Sequence, residues 1–254
     1  MTGPAGLPIL TFHAVDGVGD VGAFPPAVFR EALARLRRDG FRTLHLTDAA
    51  VMLRRGVALP DRAVVLTFDD GYRSVYTDAF PALQEHGMTA TVFLAVGAPG
   101  QAGAADRLPS LTGRDMLGWR EVREMARAGI AFGAHTLTHA DLTALPADRI
   151  EAEVRGSRAV IEQQLGAPAP GFAYPFGRFD APSHAVVRRH FDFACSDVFA
   201  LATHASDPWA LERVDMFYFR GPRRVGLVAS RWLPLLVRAI ATPRAARRAL
   251  AARR

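Results

Sequence analysis

The sequence predicts an α/β protein folded as a (β/α) barrel, on three observations. Apolar β-type runs alternate with helical patterns over most of the 254 residues. The strand candidates are almost continuously apolar, as parallel strands covered on both faces must be. No composition shift marks an internal boundary, so six or seven strand-helix units read as one barrel, closed or incomplete, with its active site at the C-terminal strand ends.

The elements follow in order. PILTFHAV (8–15) is the first strand candidate, and PAVFREALARLRRDG (26–40) is a helix opened by proline and stopped by glycine. AVVLTF (63–68) and TATVFLAV (89–96) are strands, and the Gly/Ala/Pro-rich 97–113 segment reads as a long βα loop and candidate lid. WREVREMARAG (119–129), IAFGAHT (130–136), PADRIEAEVRGSRAVIEQQLG (146–166), GFAYP (171–175) and FDFACSD (191–197) continue the alternation, and LERVD (211–215) is a late strand. Residues 1–222 form one α/β domain in this reading, and 223–254 an apolar, arginine-rich helical tail. Within the tail, VGLVASRWLPLLVRAIA (225–241) places Arg231 and Arg238 seven apart, on one helical face, with Pro234 as an interruption. It reads as a helix packed on the domain with a solvated arginine end, or as a membrane-surface or partner contact.

Composition excludes several chemistries. The single cysteine, Cys195, leaves no disulfide framework and no multi-cysteine zinc site, so a metal would be held by His and Asp. All 31 basic residues are arginine, which removes Schiff-base and lysine-nucleophile mechanisms. The +6 formal charge is uneven: residues 220–254 hold ten arginines and no acid, leaving 21 arginines against 25 acids elsewhere, a net of −4. The barrel itself therefore offers no basic surface for nucleic acid. Neither a signal peptide nor an apolar run long enough to span a bilayer is indicated, so the expected location is cytoplasmic, with the tail allowing contact with the inner membrane face.

Four places put reactive side chains at strand ends. VVLTFDDGY delivers Asp69 and Asp70 side by side, where like charges repel unless a cation neutralises them. An Asp-Gly turn alone would account for the pair equally well. HTLTH places His135 and His139 four apart on a strand end and its following loop. A zincin motif is excluded, because Thr136, not Glu, follows His135. AYPFG offers a turn in which Phe176 can point a backbone N–H into a cleft, and His13 lies near the end of the first strand.

In this order and spacing, TFDDGY, HTLTH and YPFG resemble the motifs of the polysaccharide deacetylases, carbohydrate esterase family 4 with its nodulation-type deacetylase domain. The likeness spans about residues 7–220, and PILTFHAV resembles the first strand of the branch acting on poly-N-acetylglucosamine. It implies a distorted (β/α) barrel of about seven strands and a divalent metal, zinc first, with cobalt, nickel or iron tolerated by the same donors. Carried over by position, it makes Asp70, His135 and His139 the metal ligands and Asp69 the general base. It also gives the Phe176 N–H a part in holding the oxyanion.

The sequence departs from the family in three ways. No histidine follows His204, so the late acid histidine of many members is missing; the resemblance points to His13 as the acid, with His204 in reserve. Ala173 stands where many relatives carry the arginine that orients the base, and Arg213 is the candidate replacement. Phe176 stands where tyrosine is frequent. Trp119, Trp209 and Tyr72 are candidates to stack on sugar rings or to fill the core, and Asp197 is a candidate rim residue. His45, His86, His184 and His190 match no motif. The implied activity is N-deacetylation of an amino-sugar oligo- or polysaccharide, or of a lipid-linked precursor, with release of acetate. A catalytically silent glycan or partner binder and a hydrolase of non-sugar amides are the alternatives.

Overall fold

Six apolar runs and the more polar LERVD become the staves of a closed barrel in the computed structural model, which describes residues 6–20, 22–97, 106–111 and 113–251. The parallel strands are β1 (Ile9–Phe12), β2 (Arg42–Thr43), β3 (Ala63–Phe68), β4 (Thr91–Leu94), β5 (Ala131–Ala134), β6 (Gly171–Ala173), β7 (Phe193–Phe199) and β8 (Leu211–Asp215). β1 pairs with both β8 and β3, in register Ile9 with Val65 through Phe12 with Phe68, and this double pairing closes a ring of seven. The two-residue β2 sits outside the ring on the start of β3.

The helices are α1 (Pro26–Arg38), α2 (Leu46–Arg55), α3 (Phe80–His86), α4 (Trp119–Arg127), α5 (Ala147–Leu165), α6 (Ala181–His190), α7 (Pro222–Val225) and α8 (Leu233–Ala251). α1 carries Pro26 in its first turn and Arg35, Arg37 and Arg38 in its last, where they complement the helix dipole. Its Phe29 joins Phe12 and Phe68 at ring separations of 5.1 and 5.8 Å, locking the helix to β1 and β3. Phe29→Ala there would cost about 3–5 kcal/mol. Pro234 falls in the first turn of α8, where a missing N–H costs nothing, so it does not interrupt the helix; Arg231 precedes that helix altogether. Val225, Val228, Leu233 and Val237 are buried in the same apolar core as the barrel's outer face. Much of the proposed lid at 97–113, namely 98–105 and 112, lies outside the described residues.

Strand alternation divides the interior into two apolar masses. Leu10, Phe12, Leu66, Phe68 and Val92 point outward to the helices. Ile9, Val65, Phe93, Ala173, Cys195 and Leu211 point inward, and Leu46, Ala49, Ala50 and Leu53 of α2 pack against them. α2 thus plugs the barrel's N-terminal end, which leaves the C-terminal end as the open one.

Candidate active site

Continuing the inward alternation toward the C-terminal ends delivers most of the site. Ile9 and Thr11 lead to His13; Val65 and Thr67 lead to Asp69; Gly133 leads to His135; Leu211 leads to Arg213 and Asp215. Thr11 and Thr67 are register partners, and their hydroxyls bond at 3.1 Å below the site. A cleft of about 450 Å³ opens above them, lined by His13, Asp69, Asp70, His135, His139, Phe176 and Arg213 among others.

Asp70 and His139 break the alternation, and both do so through the backbone. Their φ values are +74° and +58°, and Thr136 and Phe176 nearby stand at +69° and +57°. Non-glycine residues in this left-handed region are uncommon and persist only where the surroundings over-determine them. Gly71, at φ +87°, follows Asp70 where a Cβ would lie 2.8 Å from Leu108 Cδ1, so the turn after the acidic pair requires glycine.

A buried carboxylate on α5 holds the second histidine's loop. Glu153 accepts the Leu137 and Thr138 N–H groups at 2.9 Å each on one oxygen, and the Thr138 hydroxyl at 2.7 Å on the other. Sequence reasoning missed it, because nothing local to Glu153 in its helix indicates a partner about fifteen residues upstream.

The donor atoms converge on one point. Asp70 Oδ1 lies 3.2 Å from His139 Nε2 and 3.4 Å from His135 Nε2, and a donor atom from each residue lies within 4.8 Å of the others. A tetrahedral ion with ligand bonds near 2.0–2.1 Å needs donor separations of about 3.3 Å, so the trio fits zinc or a similar divalent ion. His135 Nδ1–H donates to the Ala173 carbonyl at 2.7 Å, which fixes the ring and leaves Nε2 to face Asp70. A neutral Nε2 has a lone pair there and no proton, so the pair is complementary only across a shared cation or as an imidazolium. Burial raises the Asp70 pKa, but the facing imidazoles of His135 and His139, with His13 nearby, together outweigh it and hold the carboxyl well below its ordinary value.

Asp69 has a different partner. Arg213 grips it in a bidentate pair, Nη1 to Oδ1 and Nη2 to Oδ2 at 2.8 Å each, and Arg213 Nε donates to the Ser196 carbonyl at 2.8 Å. Both side chains are buried. Burial is the largest single influence and raises the carboxyl's pKa, but the charge and hydrogen bonds of Arg213 together with the nearby His135 and His13 outweigh it, and the net value lies below the ordinary 3.8. The same pairing raises the Arg213 pKa against its desolvation. Bidentate contact fixes the carboxylate plane while leaving lone pairs free to accept another proton.

Comparison with known proteins gives this arrangement its context. The polysaccharide deacetylase family model matches residues 56–190, which include Asp69, Asp70, His135, His139 and Phe176. The chain belongs to the polysaccharide deacetylase family. It is 30% identical to YxkH of Bacillus subtilis (strain 168) over 177 residues, 70% of this chain and 59% of that one. It is 36% identical over 115 residues to the poly-beta-1,6-N-acetyl-D-glucosamine N-deacetylase of Escherichia coli (strain K12), 43% of this chain and 17% of that protein. This polysaccharide deacetylase chain thus spans about three-fifths of the first relative and a small part of the second. Among solved structures, IcaB from Ammonifex degensii superposes with a TM-score of 0.75 at 26% identity, covering 89% of this chain and 97% of that one. Streptococcus pyogenes deacetylase PplD, solved with acetate, superposes at 0.78 and 23% identity over 89% and 99%, a likeness of fold.

His13 and Arg213 lie outside the stretch matched by the family model, and the barrel's closure brings both into the cleft. Phe176 stands at the rim with its ring 4.8 Å from that of His139 and 55% exposed. The adjoining Gly177 has φ +61° and touches Asp197 so closely that a Cβ would sit 2.2 Å from it. Asp197 lines the cleft, as expected of a rim residue.

Of the three aromatic candidates only Tyr72 reaches the cleft. Trp119 is buried at the start of α4, and Trp209 donates to the Phe191 carbonyl at 2.8 Å under Arg188. Tyr174 and Phe176 also line the cleft, and so do Phe217 and Tyr218 in the turn after β8, which sequence reasoning missed. The signal was available in MFYF directly following a strand end. His204 is removed from the chemistry: its Nδ1 meets the Leu53 carbonyl of α2 at the plugged end. His184 pairs with Asp207, His190 with Glu151, and His45 precedes α2 near Thr89.

Proposed function

We propose that the chain is a metal-dependent hydrolase that removes N-acetyl groups from an amino-sugar glycan, with residues 1–222 carrying the catalysis. One observation carries this reading: a three-donor cluster and a separately held carboxylate share one cleft. Asp70, His135 and His139 would hold the divalent ion, zinc by their donor chemistry. When bound, such an ion polarises the acetamide carbonyl and makes a water acidic enough to attack it at neutral pH.

The chain's own residues supply the rest. Asp69, kept ionised and planar by Arg213, accepts the proton of the attacking water. The Phe176 N–H, set by its left-handed turn, donates to the developing oxyanion. His13 donates a proton to the leaving nitrogen as the C–N bond breaks, so the products are acetate and a free amine. The exposed Phe176 at the rim and the half-buried Phe217 and Tyr218 offer aromatic surface to the sugar. The named relative acting on poly-beta-1,6-N-acetyl-D-glucosamine supports a β-linked N-acetylglucosamine chain as the first substrate to try.

Acetate release from N-acetylglucosamine oligomers and from poly-N-acetylglucosamine, measured with zinc, cobalt or nickel added, tests the proposal. Release that stops on chelation and returns with metal is the expected result. Glycan binding without release would favour the silent binder, and release only from non-sugar amides would overturn the substrate. His13→Gln is expected to slow turnover by about 10²–10⁴; an unchanged rate would remove His13 as the acid.

A further inference from the structure

The start of α8 has two faces. Leu233 and Val237 are buried against the barrel, with Ile240 and Ala241 beside them. On the opposite side, Trp232 is 52% and Leu235 is 55% exposed. The Leu236 N–H bonds to the Trp232 carbonyl, so Trp232 already lies on the helical spiral and shares a face with Leu235 three residues on. Arg238 and Thr242 continue that face, both exposed, and the Arg231 guanidinium covers the Trp232 ring at 4.9 Å.

The charge carried by this segment is of one sign. No acid occurs after Asp215, and residues 220–254 contain ten arginines. Arg223, Arg224, Arg231 and Arg238 are exposed, and none of them forms an ion pair among the described residues. Among the described residues no helix is long and apolar enough to cross a membrane.

We propose that this face docks the protein on an anionic lipid surface, with Trp232 and Leu235 entering the headgroup boundary and Arg231 and Arg238 meeting lipid phosphates. Trp is suited to that boundary because it joins an apolar ring to a hydrogen-bond donor. Arginine keeps its charge in water while its stem covers apolar surface. A nucleic acid would satisfy the arginines but would give Leu235 no apolar partner, so the exposed pair favours lipid. The inference is independent of the catalytic reading, since none of these residues lines the cleft.

The test uses the full chain and sedimentation with phosphatidylcholine vesicles, with and without phosphatidylglycerol. Binding is expected only with phosphatidylglycerol, weakening as salt rises. Trp232→Ser with Leu235→Ser should lower partitioning by about tenfold or more, and Trp232→Phe with Leu235→Met should restore it. Arg231→Gln and Arg238→Gln should each lower it about fivefold. Thermal unfolding and metal content should match the parent in all of these variants. Equal binding to both vesicle types, no binding to either, or full binding by the Ser variant would overturn the proposal. Release from vesicles by an RNA oligomer that the Ser variant still binds at parent strength would assign the face to nucleic acid instead.

Discussion

Two cavities of nearly equal size lie toward opposite ends of the strands, one in the open mouth of the barrel and one beside the plugged end against α4 and α5, and only the first is equipped for chemistry. The cleft at the C-terminal ends, about 450 Å³, gathers His13, Asp69, Asp70, His135, His139 and Arg213. The other, about 480 Å³, lies by the N-terminal ends of β4 to β7 and is lined by Thr91, Ala131, Phe132, Pro168 and Phe193, with Arg123 and Arg127 and no carboxylate or imidazole. Size does not distinguish them; what the strand alternation delivers does. The same inward positions that carry Ile9, Val65 and Leu211 against α2 carry His13, Asp69 and Arg213 at the open end. One end is closed by burial, and the other is held open by charges that satisfy each other.

Substitutions at the two ends should therefore fail differently. Asp69→Asn is expected to lower kcat by about 10²–10⁴ with metal content unchanged; deacetylation rates and bound metal on one preparation check both halves. Arg213→Gln leaves Asp69 buried without its cation and is expected to cost about 3–5 kcal/mol in denaturant unfolding. The sign with pH follows from the lowered Asp69 pKa. Its pairing contributes fully above the ordinary 3.8 and is lost as pH falls through the folded value, so the Arg213 variant should show a flatter acid limb.

At the plugged end, Leu53→Ala should cost about 2–5 kcal/mol of stability through the cavity it leaves. Metal affinity in that variant should stay at the parent value, since Leu53 packs on the inner apolar mass and not on the site. A matching loss of metal would erase the distinction between the ends. Glu153→Leu should weaken metal binding by about 10–100-fold, because it removes the acceptor that fixes the His139 loop. Isothermal titration with zinc reads this, and a variant that only unfolds sooner with unchanged affinity would limit Glu153 to a structural part.

Six of the seven ring strands were legible because burial on both faces writes an apolar run, and β8, LERVD, lies where a late strand is expected although three of its five residues are charged. β2 was not, since two residues carry no periodic signal. α2 and α3 were passed over, as was α6, although Asp180 and Pro182 mark its start and Asp180 accepts the Ser183 N–H. Asp69, Asp70, His135 and His139 were legible as candidates because each cluster is local in sequence. The Asp69–Arg213 pair joins residues 144 apart, and its bidentate geometry becomes visible only when the barrel closes. Pro234 misled because position within the first turn, and not the presence of proline, decides whether a helix breaks.

Metal stoichiometry in three purified forms of the full chain tests the central claim most directly. With zinc supplied and excess removed, the parent and Asp69→Asn should each retain a single ion per chain, and His139→Ala should retain none. A parent that binds no divalent ion, or an Asp69→Asn variant that loses metal as completely as His139→Ala, would contradict the division of the two adjacent aspartates into ligand and base.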